Sequence, residues 1–325
     1  MDKTKLKTMV KSMQSIIALV IIFVVASIIC IRDGRNVFLD VRNIMNVLRA
    51  VSENGIIAIG MTMILLLGDI DLSVGSIVAL VSTGCAYLMV NNGFGFIPAV
   101  LSSLLIGGLF GAFNGLCITK LRLQAFIVTL ASMNIARGLA RLWANGVGIP
   151  LTYGEGKGLA PVAFGYLQER IGGVIPVPAI IFVCLLIIFT FIMERTRFGR
   201  QIYAIGGNRN AAYLSGINVD RIKVITFILC AMLTSIAAMI HAAQISQGGP
   251  NEGQGYELNA VAACAIGGTS LAGGKGTMQG ALIGALILGM LDNVLGLNGV
   301  NSNIQLMVKG LLIIIAVFMQ ADKQK

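Results

Sequence analysis

The sequence has few charged residues, few prolines and a single histidine and tryptophan. Only 12% of its 325 residues are Asp, Glu, Lys or Arg, whereas a soluble domain typically carries about 25%. Hydrophobic residues make up 56% of the chain, and the mean hydropathy is +0.87. These values exclude an ordinary soluble domain and favour a chain that lies mostly in a lipid bilayer.

The residues that build catalytic or metal sites are also scarce. All six cysteines lie in apolar stretches without CxxC spacing, so they indicate small buried side chains rather than disulfides or a metal site. His241 has no second histidine to share a metal, and we expect it to be a packed or hydrogen-bonded structural residue. No acids paired with histidine and no nucleophile motif are visible, so a membrane enzyme is disfavoured.

A glycine-rich stretch from Ile266 to Thr277 invites comparison with a phosphate-binding loop. That motif needs a glycine at position 269 and Ser or Thr after Lys275, but Thr269 and Gly276 stand there. The glycines instead predict a tight turn between two spans. We expect no cofactor in this chain, and any ATP that drives it must be hydrolysed by another polypeptide.

The chain contains many apolar stretches, and it carries a formal charge of +10. Such an excess in a membrane chain indicates basic cytoplasmic loops rather than binding to nucleic acid. The pattern predicts an all-α polytopic membrane protein with about ten transmembrane helices, in one domain over residues 1–325. The predicted spans are 14–31, 54–67, 72–90, 97–119, 125–143, 176–193, 224–246, 258–274, 277–297 and 303–320.

Basic residues define the predicted topology. With the N-terminus inside, 15 of the 24 lysines and arginines fall in cytoplasmic segments and six in outward segments. Both termini are therefore expected in the cytoplasm. A weak likeness between the segments that begin at Asp71 and Glu257, which cross in opposite directions, predicts an inverted repeat, with chance similarity as the alternative.

Glycines recur at a spacing of four in two stretches. Gly107, Gly111 and Gly115 share one helical stripe, and Gly280 and Gly284 repeat the device. Small residues at this spacing let helices approach closely in a membrane, so both stretches predict tight packing in the bundle.

A polar stretch of 30 residues, Glu194 to Lys223, separates two long apolar stretches, and we call it the basic segment. It carries six basic residues against two acidic ones, a bias that favours the cytoplasmic side. A short helix-like core, Asn210 to Gly216, lies inside it. This combination predicts a membrane subunit that is driven by a cytoplasmic partner.

Acidic residues beside an apolar stretch are candidates for a transport path. Asp69 and Asp71 lie between two predicted spans, and a carboxylate at the bilayer centre costs about 2.5–3.5 kcal/mol on insertion scales. We therefore expect them at a helix break, a water-filled cavity or an interface. Asp71 followed by Ser73 also fits an N-cap of the next helix. As a further alternative, Asp69 and Asp71 together could form a cation site.

Two arginines lie within one predicted span. Arg137 and Arg141 are four residues apart on one helix face. Arg141 is near the outer end, where it can reach the interface. Arg137, with Asn134 one turn earlier, is the better candidate for the path or for a contact between helices.

Four segments together resemble the permease subunits of ribose-type sugar ABC importers, in order over nearly the whole chain. They are GDIDLSVGS from Gly68, TLASMNIARGLA from Thr129, FGRQIYAIGGNRNAAYLSGI from Phe198 and AIGGTSLAGGKGTMQGALIGA from Ala265. The resemblance implies a ten-helix subunit of the bacterial inner membrane that pairs with itself or a sister subunit. It also implies an extracytoplasmic sugar-binding protein and cytoplasmic ATPase subunits, which bind ATP and Mg²⁺.

The resemblance further implies a cytoplasmic coupling helix at about 208–217. Asn210, Ala211, Ala212 and Gly216 are similar to a degenerate E-A-A-x3-G pattern, with Asn210 where the pattern has Glu. The small alanines allow close approach, Tyr213 and Leu214 can fill a groove in the partner, and the glycine can end the helix. The candidate contacts with the ATPase are Gly207, Asn208, Asn210, Ala211, Ala212, Tyr213, Leu214, Ser215 and Gly216.

The candidate path residues are Asp69, Asp71, Ser73, Asn134 and Arg137. An outward loop at about 144–175, which includes Glu155, Lys157, Glu169 and Arg170, is expected to dock the binding protein.

Two other classes stay open. A related ABC permease could carry nucleosides or branched-chain amino acids, and its cognate binding protein would distinguish it. An ion-coupled secondary transporter would use Asp69 and Asp71 for coupling and would not need the basic segment to dock.

Overall fold

The structure is a computed structural model, and it describes residues 14–32 and 34–321. Apolar stretches form most of its thirteen α-helices. They are α1 (Gln14–Ile29), α2 (Val41–Leu66), α3 (Val74–Val90), α4 (Phe96–Lys120), α5 (Ala125–Trp143), α6 (Val162–Gly165), α7 (Val177–Arg195), α8 (Arg197–Gly207), α9 (Arg209–Leu214), α10 (Val219–Ile245), α11 (Tyr256–Ile266), α12 (Met278–Leu297) and α13 (Ser302–Ala321). The all-α prediction is confirmed. The predicted cytoplasmic lysines at positions 3–11, 323 and 325 lie outside the described residues.

Sheet structure in the described residues is limited to three antiparallel pairs of two-residue strands. The strands are β1 (Ile31–Arg32), β2 (Arg35–Asn36), β3 (Ile149–Pro150), β4 (Arg170–Ile171), β5 (Ile175–Pro176) and β6 (Gln247–Gly248). They pair as β1 with β2, β3 with β6, and β4 with β5. The β3–β6 pair ties the loop after α5 to the segment that follows α10.

Six helices, α2, α4, α5, α7, α10 and α12, are long and apolar enough to cross a membrane. Four shorter apolar helices correspond to α1, α3, α11 and α13, and these ten lie at the ten predicted spans. Helix α2 begins 13 residues before its predicted start, because its polar first half is helical too. Asp40 caps this helix by accepting a hydrogen bond from the Arg42 amide. The span predicted at 258–274 is too long, since α11 ends at Ile266 and Gly268 adopts a positive φ of 91°.

Two non-helical segments enter the interior of the bundle. The first, 67–73, precedes α3 and is largely buried, and the second, 246–255, precedes α11. They meet where α3 begins, since a Cβ on Gly75 would lie 2.3 Å from the carbonyl oxygen of Gly253. Irregular backbone at membrane depth is tolerated where it is buried in protein or lines a water-filled cavity. The inverted repeat that the sequence suggests at these two places stays a prediction.

Glycines permit the closest helix contacts, as predicted. On α4, a Cβ at Gly111 would lie 2.4 Å from the carbonyl oxygen of Phe227 in α10. On α12, a Cβ at Gly284 would lie 1.8 Å from the carbonyl oxygen of Ala263 in α11. Both positions leave no room for a side chain, so the two helix pairs are packed backbone to backbone.

The connections between helices gather at two ends of the bundle. The basic segment lies at one end, which we call the basic end. There the Gly274 amide donates to the carbonyl of Leu66 at 2.9 Å, and a Cβ on Gly206 would lie 1.7 Å from the same oxygen. The β4–β5 pair lies at the opposite end, where Arg170 donates to Oδ1 of Asn46, near the start of α2.

Candidate functional site

The basic segment folds into two short helices that continue from α7. Thr196 caps α8, and Asn208 caps α9 by accepting a hydrogen bond from the Ala211 amide at 3.0 Å. Helix α9 ends in a glycine motif, in which Gly216 has a φ of 80° and the Ile217 amide donates to the carbonyl of Ala212. The helix-like core that the sequence predicts is therefore a helix of six residues that is capped at both ends.

Helix α9 presents a small apolar surface to solvent. Tyr213 and Leu214 are 72% and 84% exposed, while Ala212 between them and the bundle is buried. Asn210 and Ala211 are also exposed, as are Gly207 and Asn208 before the helix and Ser215 and Gly216 after it. An exposed aromatic and leucine on a polar segment are typical of a protein contact.

The basic segment is fixed to the bundle on its inner side. The Tyr203 hydroxyl of α8 donates to the carbonyl of Gly276 at 2.9 Å, in the connection between α11 and α12. Burial raises the pKa of this phenol, and the nearby charge of Glu194 raises it further. Tyr203 is thus a neutral hydrogen-bond donor at physiological pH.

Asp69 lies at the basic end and forms an ion pair. Its Oδ2 is 2.6 Å from Nζ of Lys223, in the first turn of α10, and both side chains are nearly buried. A second ion pair, at 3.1 Å, joins Asp220 of the same turn to Arg122 in the α4–α5 connection. Asp69 therefore contacts the end of the basic segment directly.

Asp71 is fully buried in the first non-helical segment. Its Oδ1 accepts hydrogen bonds from the Ser73 amide at 2.8 Å and from the Ser73 hydroxyl at 2.5 Å. The same hydroxyl accepts a bond from Nδ2 of Asn114 in α4 at 2.9 Å. Ser73, not Asp71, is the N-cap residue of α3, so the capping role suggested for the aspartate is wrong by two residues. Asp69 and Asp71 bind different partners and do not form a joint acidic site.

Arg137 holds the second non-helical segment against α3. Its guanidinium donates to the carbonyl oxygens of Pro250 at 3.0 Å and Glu252 at 2.5 Å, and lies 3.4 Å from that of Gly75. Arg141, one turn later, donates only to the side chain of Asn251 at the surface. Asn134 is exposed on the same helix. Arg137 thus joins α5 to the backbones of two other elements, the second non-helical segment and α3.

A buried polar network was missed by the sequence reasoning. His241 of α10 places Nδ1 2.8 Å from Oε2 of Glu53 and Nε2 3.1 Å from Oε2 of Glu252. The Tyr256 hydroxyl donates to the same Glu53 oxygen at 2.9 Å. Both ring nitrogens donate only in an imidazolium, so the two carboxylates suit a charged His241. The sequence signal that could have predicted this network is Asp40, the residue that caps the start of α2. A helix that starts there places Glu53 inside a span, where an acid needs a partner.

Several polar side chains remain exposed on the isolated chain. Arg141 of α5 donates to Asn251 of the second non-helical segment, and both are exposed, as are Asn134 of α5 and Gln254 of that segment. Exposed polar groups of a membrane helix such as α5, and of the non-helical backbone beside it, face a protein partner or water rather than lipid. We call these four residues the polar face.

The six long apolar helices and the four shorter ones define a polytopic membrane protein. The chain matches a family model described as branched-chain amino acid transport system / permease component, over residues 43–317. It is 40% identical to the ribose import permease protein RbsC of Escherichia coli (strain K12) over 320 residues, 98% of this chain and 96% of that protein. It is 43% identical to RbsC of Bacillus subtilis (strain 168), over 88% of this chain and 87% of that protein.

A further relative is the xylose transport system permease protein XylH of Haemophilus influenzae (strain ATCC 51907 / DSM 11121 / KW20 / Rd), at 34% identity over 99% of both chains. No solved structure gave a significant match. The chain belongs to this family of transport-system permease components, and the resemblance seen in the sequence is confirmed. It is a multi-pass membrane transport component and not an enzyme. The prediction that the chain is not an enzyme rested in part on the absence of acids paired with histidine. That premise was wrong, since the fold pairs His241 with Glu53 and Glu252.

Proposed function

We propose that the protein is the membrane permease subunit of an ATP-driven ABC importer for a monosaccharide, either ribose or another pentose or hexose. The observation that carries the proposal is the 40–43% identity to ribose import permeases over 88–98% of the chain. The relative named as a xylose permease supports a pentose as the cargo. ATP and Mg²⁺ would be bound by a separate ATPase subunit, in keeping with the sequence around Lys275, which departs from a phosphate-binding loop.

We place the protein in the bacterial cytoplasmic membrane with the basic end and both termini on the cytoplasmic side. The positive-inside rule supports this orientation, because 15 of the 24 basic residues then lie inside. Residues 1–325 form a single permease domain in this proposal. The basic segment at 194–223 lies inside and the loop at 144–175 lies outside.

Helix α9 is the proposed contact with the ATPase. Its exposed Tyr213 and Leu214 can enter a groove of the partner, and the short exposed side chain of Ala211 allows close approach. The Asn210 side chain replaces the acid of the importer pattern, so we assign the contact to shape and apolar area rather than to charge. The other candidate contacts, Gly207, Asn208, Ser215 and Gly216, are exposed on the same surface, and buried Ala212 supports it from below.

The transport path is proposed along the polar face, between this chain and a second permease subunit. Amide side chains such as Asn134 and Gln254 offer hydrogen bonds to sugar hydroxyls without a net charge. Arg137 supports the path by holding the segment that carries this face, and Asp71 with Ser73 supports it by fixing the start of α3. We assign Asp69 a different role, described below, because its carboxylate is paired with Lys223.

A cavity of about 750 Å³ at the end opposite the basic segment is the proposed dock for the sugar-binding protein. Arg42 and Arg49 of α2 line it together with Arg170 of the outward loop. No ion pair joins these three arginines to an acid within the described part of the chain. Arginines on the outer side run against the positive-inside rule. We infer that they bind acidic side chains of the binding protein.

Transport then follows alternating access. Closure of the ATPase pair on ATP would draw the two α9 helices together and rock the permease subunits about the polar face. Each ligand shifts this equilibrium only by its difference in affinity for the two states. High affinity for the sugar can reside in the binding protein, so the path itself needs only weak contacts.

The test is uptake by vesicles that contain the chain with its ATPase and binding protein. Radiolabelled pentoses and hexoses are compared with leucine and a nucleoside, with and without ATP, for the wild type and Ala211→Arg. We expect sugar uptake that requires ATP and is lost in Ala211→Arg together with co-purification of the ATPase. Uptake of leucine or the nucleoside alone would favour the alternative cargo classes. Uptake without the ATPase, driven by an ion gradient and blocked by Asp71→Asn, would refute the importer and support a secondary transporter.

A further inference from the structure

The first turn of α10 is tied to two connections that lead into different helices. Lys223 pairs with Asp69 in the segment before α3, at 2.6 Å, and Asp220 pairs with Arg122 in the connection before α5, at 3.1 Å. Both helices carry residues that support the proposed path. One turn of helix therefore links the basic segment to the two connections that lead into α3 and α5.

This turn is joined to α9 by a short connection with a hydrogen-bonded cap at each end. Gly216 ends α9 in its glycine motif, and Asn218 caps α10 by accepting a hydrogen bond from the Arg221 amide at 3.0 Å. Two capped helix ends with only four residues between them leave little freedom to the connection. A displacement of α9 is therefore passed to the first turn of α10.

Open space lies beside the two ion pairs. Cavities of about 510 and 460 Å³ lie beside them, and both are lined by Arg122 and Arg209. The basic segment is therefore not packed solidly against the α4–α5 connection. The Arg122–Asp220 pair crosses this gap, whereas the Lys223–Asp69 pair joins the end of the basic segment directly to the segment before α3.

The two pairs differ in how strongly they can hold. Arg122 and Asp220 have 66% and 29% of their side chains exposed, so water and salt weaken their attraction. Lys223 and Asp69 are only 6% and 12% exposed. Removal of one partner leaves the other charge buried without compensation, which makes this contact difficult to break.

We propose that the Asp69–Lys223 ion pair is the link that couples movement of α9 to movement of α3. The inference rests on the proposed function. Neither side chain touches ATP or cargo in this assignment. Both are positioning residues, and they act by keeping the start of α3 attached to the segment that the ATPase moves.

The test measures sugar uptake and ATP hydrolysis in the same vesicles, with the full complex and with each variant. In Asp69→Asn and Lys223→Met we expect the sugar transported per ATP hydrolysed to fall by about tenfold, a usual size for an energetic coupling between sites. ATP hydrolysis continues, because α9 itself is unchanged. Arg122→Gln and Asp220→Asn are the matched controls, and their ratio should stay within about threefold of the wild type.

The double variant Asp69→Lys with Lys223→Asp separates coupling from stability. We expect it to regain a large part of the transported sugar per ATP, since the opposite charges meet again. Co-purification of the ATPase is recorded for every variant, and if Asp69→Asn does not assemble, Lys223→Met decides in its place. Unchanged ratios in the buried-pair variants, or equal losses in the exposed-pair controls, would overturn the inference. A wild type without ATP-dependent uptake would instead refute the proposed function.

Discussion

Replacement of Arg137 by glutamine should destabilise the protein, and Arg141→Gln should not. Arg137 makes two close hydrogen bonds to backbone carbonyls, at 2.5 and 3.0 Å, and a longer one at 3.4 Å. A hydrogen bond to a charged group contributes about 1.5–3 kcal/mol, and partial exposure of Arg137 places each at the lower end, so we expect a loss of about 2–4 kcal/mol in the free energy of unfolding.

Arg141 provides a matched control, with the same side chain one turn later on the same helix. It is exposed and bonds only to the exposed side chain of Asn251, at 3.1 and 3.3 Å. Surface substitutions of this kind usually change stability by less than about 0.5 kcal/mol. Arg137→Lys should fall between the two, because an ammonium keeps the charge but lacks the planar fork that reaches several carbonyls.

The assay is denaturant and thermal unfolding of the purified protein in detergent, followed by uptake in vesicles. We expect Arg137→Gln alone to unfold earlier and to lose transport. Equal unfolding of the two glutamine variants would refute the reasoning, since it would show that the carbonyl contacts contribute nothing. Loss of uptake in Arg137→Gln without loss of stability would instead assign the guanidinium to the cargo.

Two further predictions concern packing and the outer surface. Gly111→Ala should lower the free energy of unfolding in thermal melts by about 1–3 kcal/mol, because its Cβ would meet the carbonyl oxygen of Phe227 at 2.4 Å. Gly108→Ala on the same helix is the control and should be neutral or slightly stabilising in the same melts. Arg170→Glu should raise the concentration of binding protein that half-stimulates ATP hydrolysis, most strongly at low salt. Lys157→Glu makes the same charge change on the outward loop and should have little effect, and equal effects of the two would contradict the proposed dock.

Hydropathy located the spans well but not all of their ends. Helix α2 starts at Val41 because the bundle buries polar residues of its first half, such as Asn43 and Glu53, which a hydropathy pattern treats as a loop. Helix α11 stops at Ile266 because Gly268 adopts a positive φ of 91°, and the apolar residues beyond it do not continue the helix. Hydropathy reports neither effect, since the burial of polar residues in α2 depends on neighbours that are distant in the sequence and the end of α11 depends on the backbone conformation of a glycine.

The candidate site was predicted in part. The basic segment, its short helix with exposed Tyr213 and Leu214, and the glycine that ends it follow from local patterns of polar, small and turn-forming residues. The partners of Asp69 and Arg137 do not, because an isolated charge in a span shows only that a partner is needed. The acids that suggested one shared cation site have separate partners.

By itself, the sequence determined that the chain lies in a membrane, how many apolar segments it has, where glycines bring helices together and where a polar segment interrupts the apolar ones. These properties depend on composition and on spacing within one helix. Only the tertiary structure decided which charges meet, such as His241 with Glu53, 188 residues apart, and Lys223 with Asp69. The physical reason is that a buried charge restricts the fold to arrangements that pair it, while the choice of partner depends on how whole helices pack.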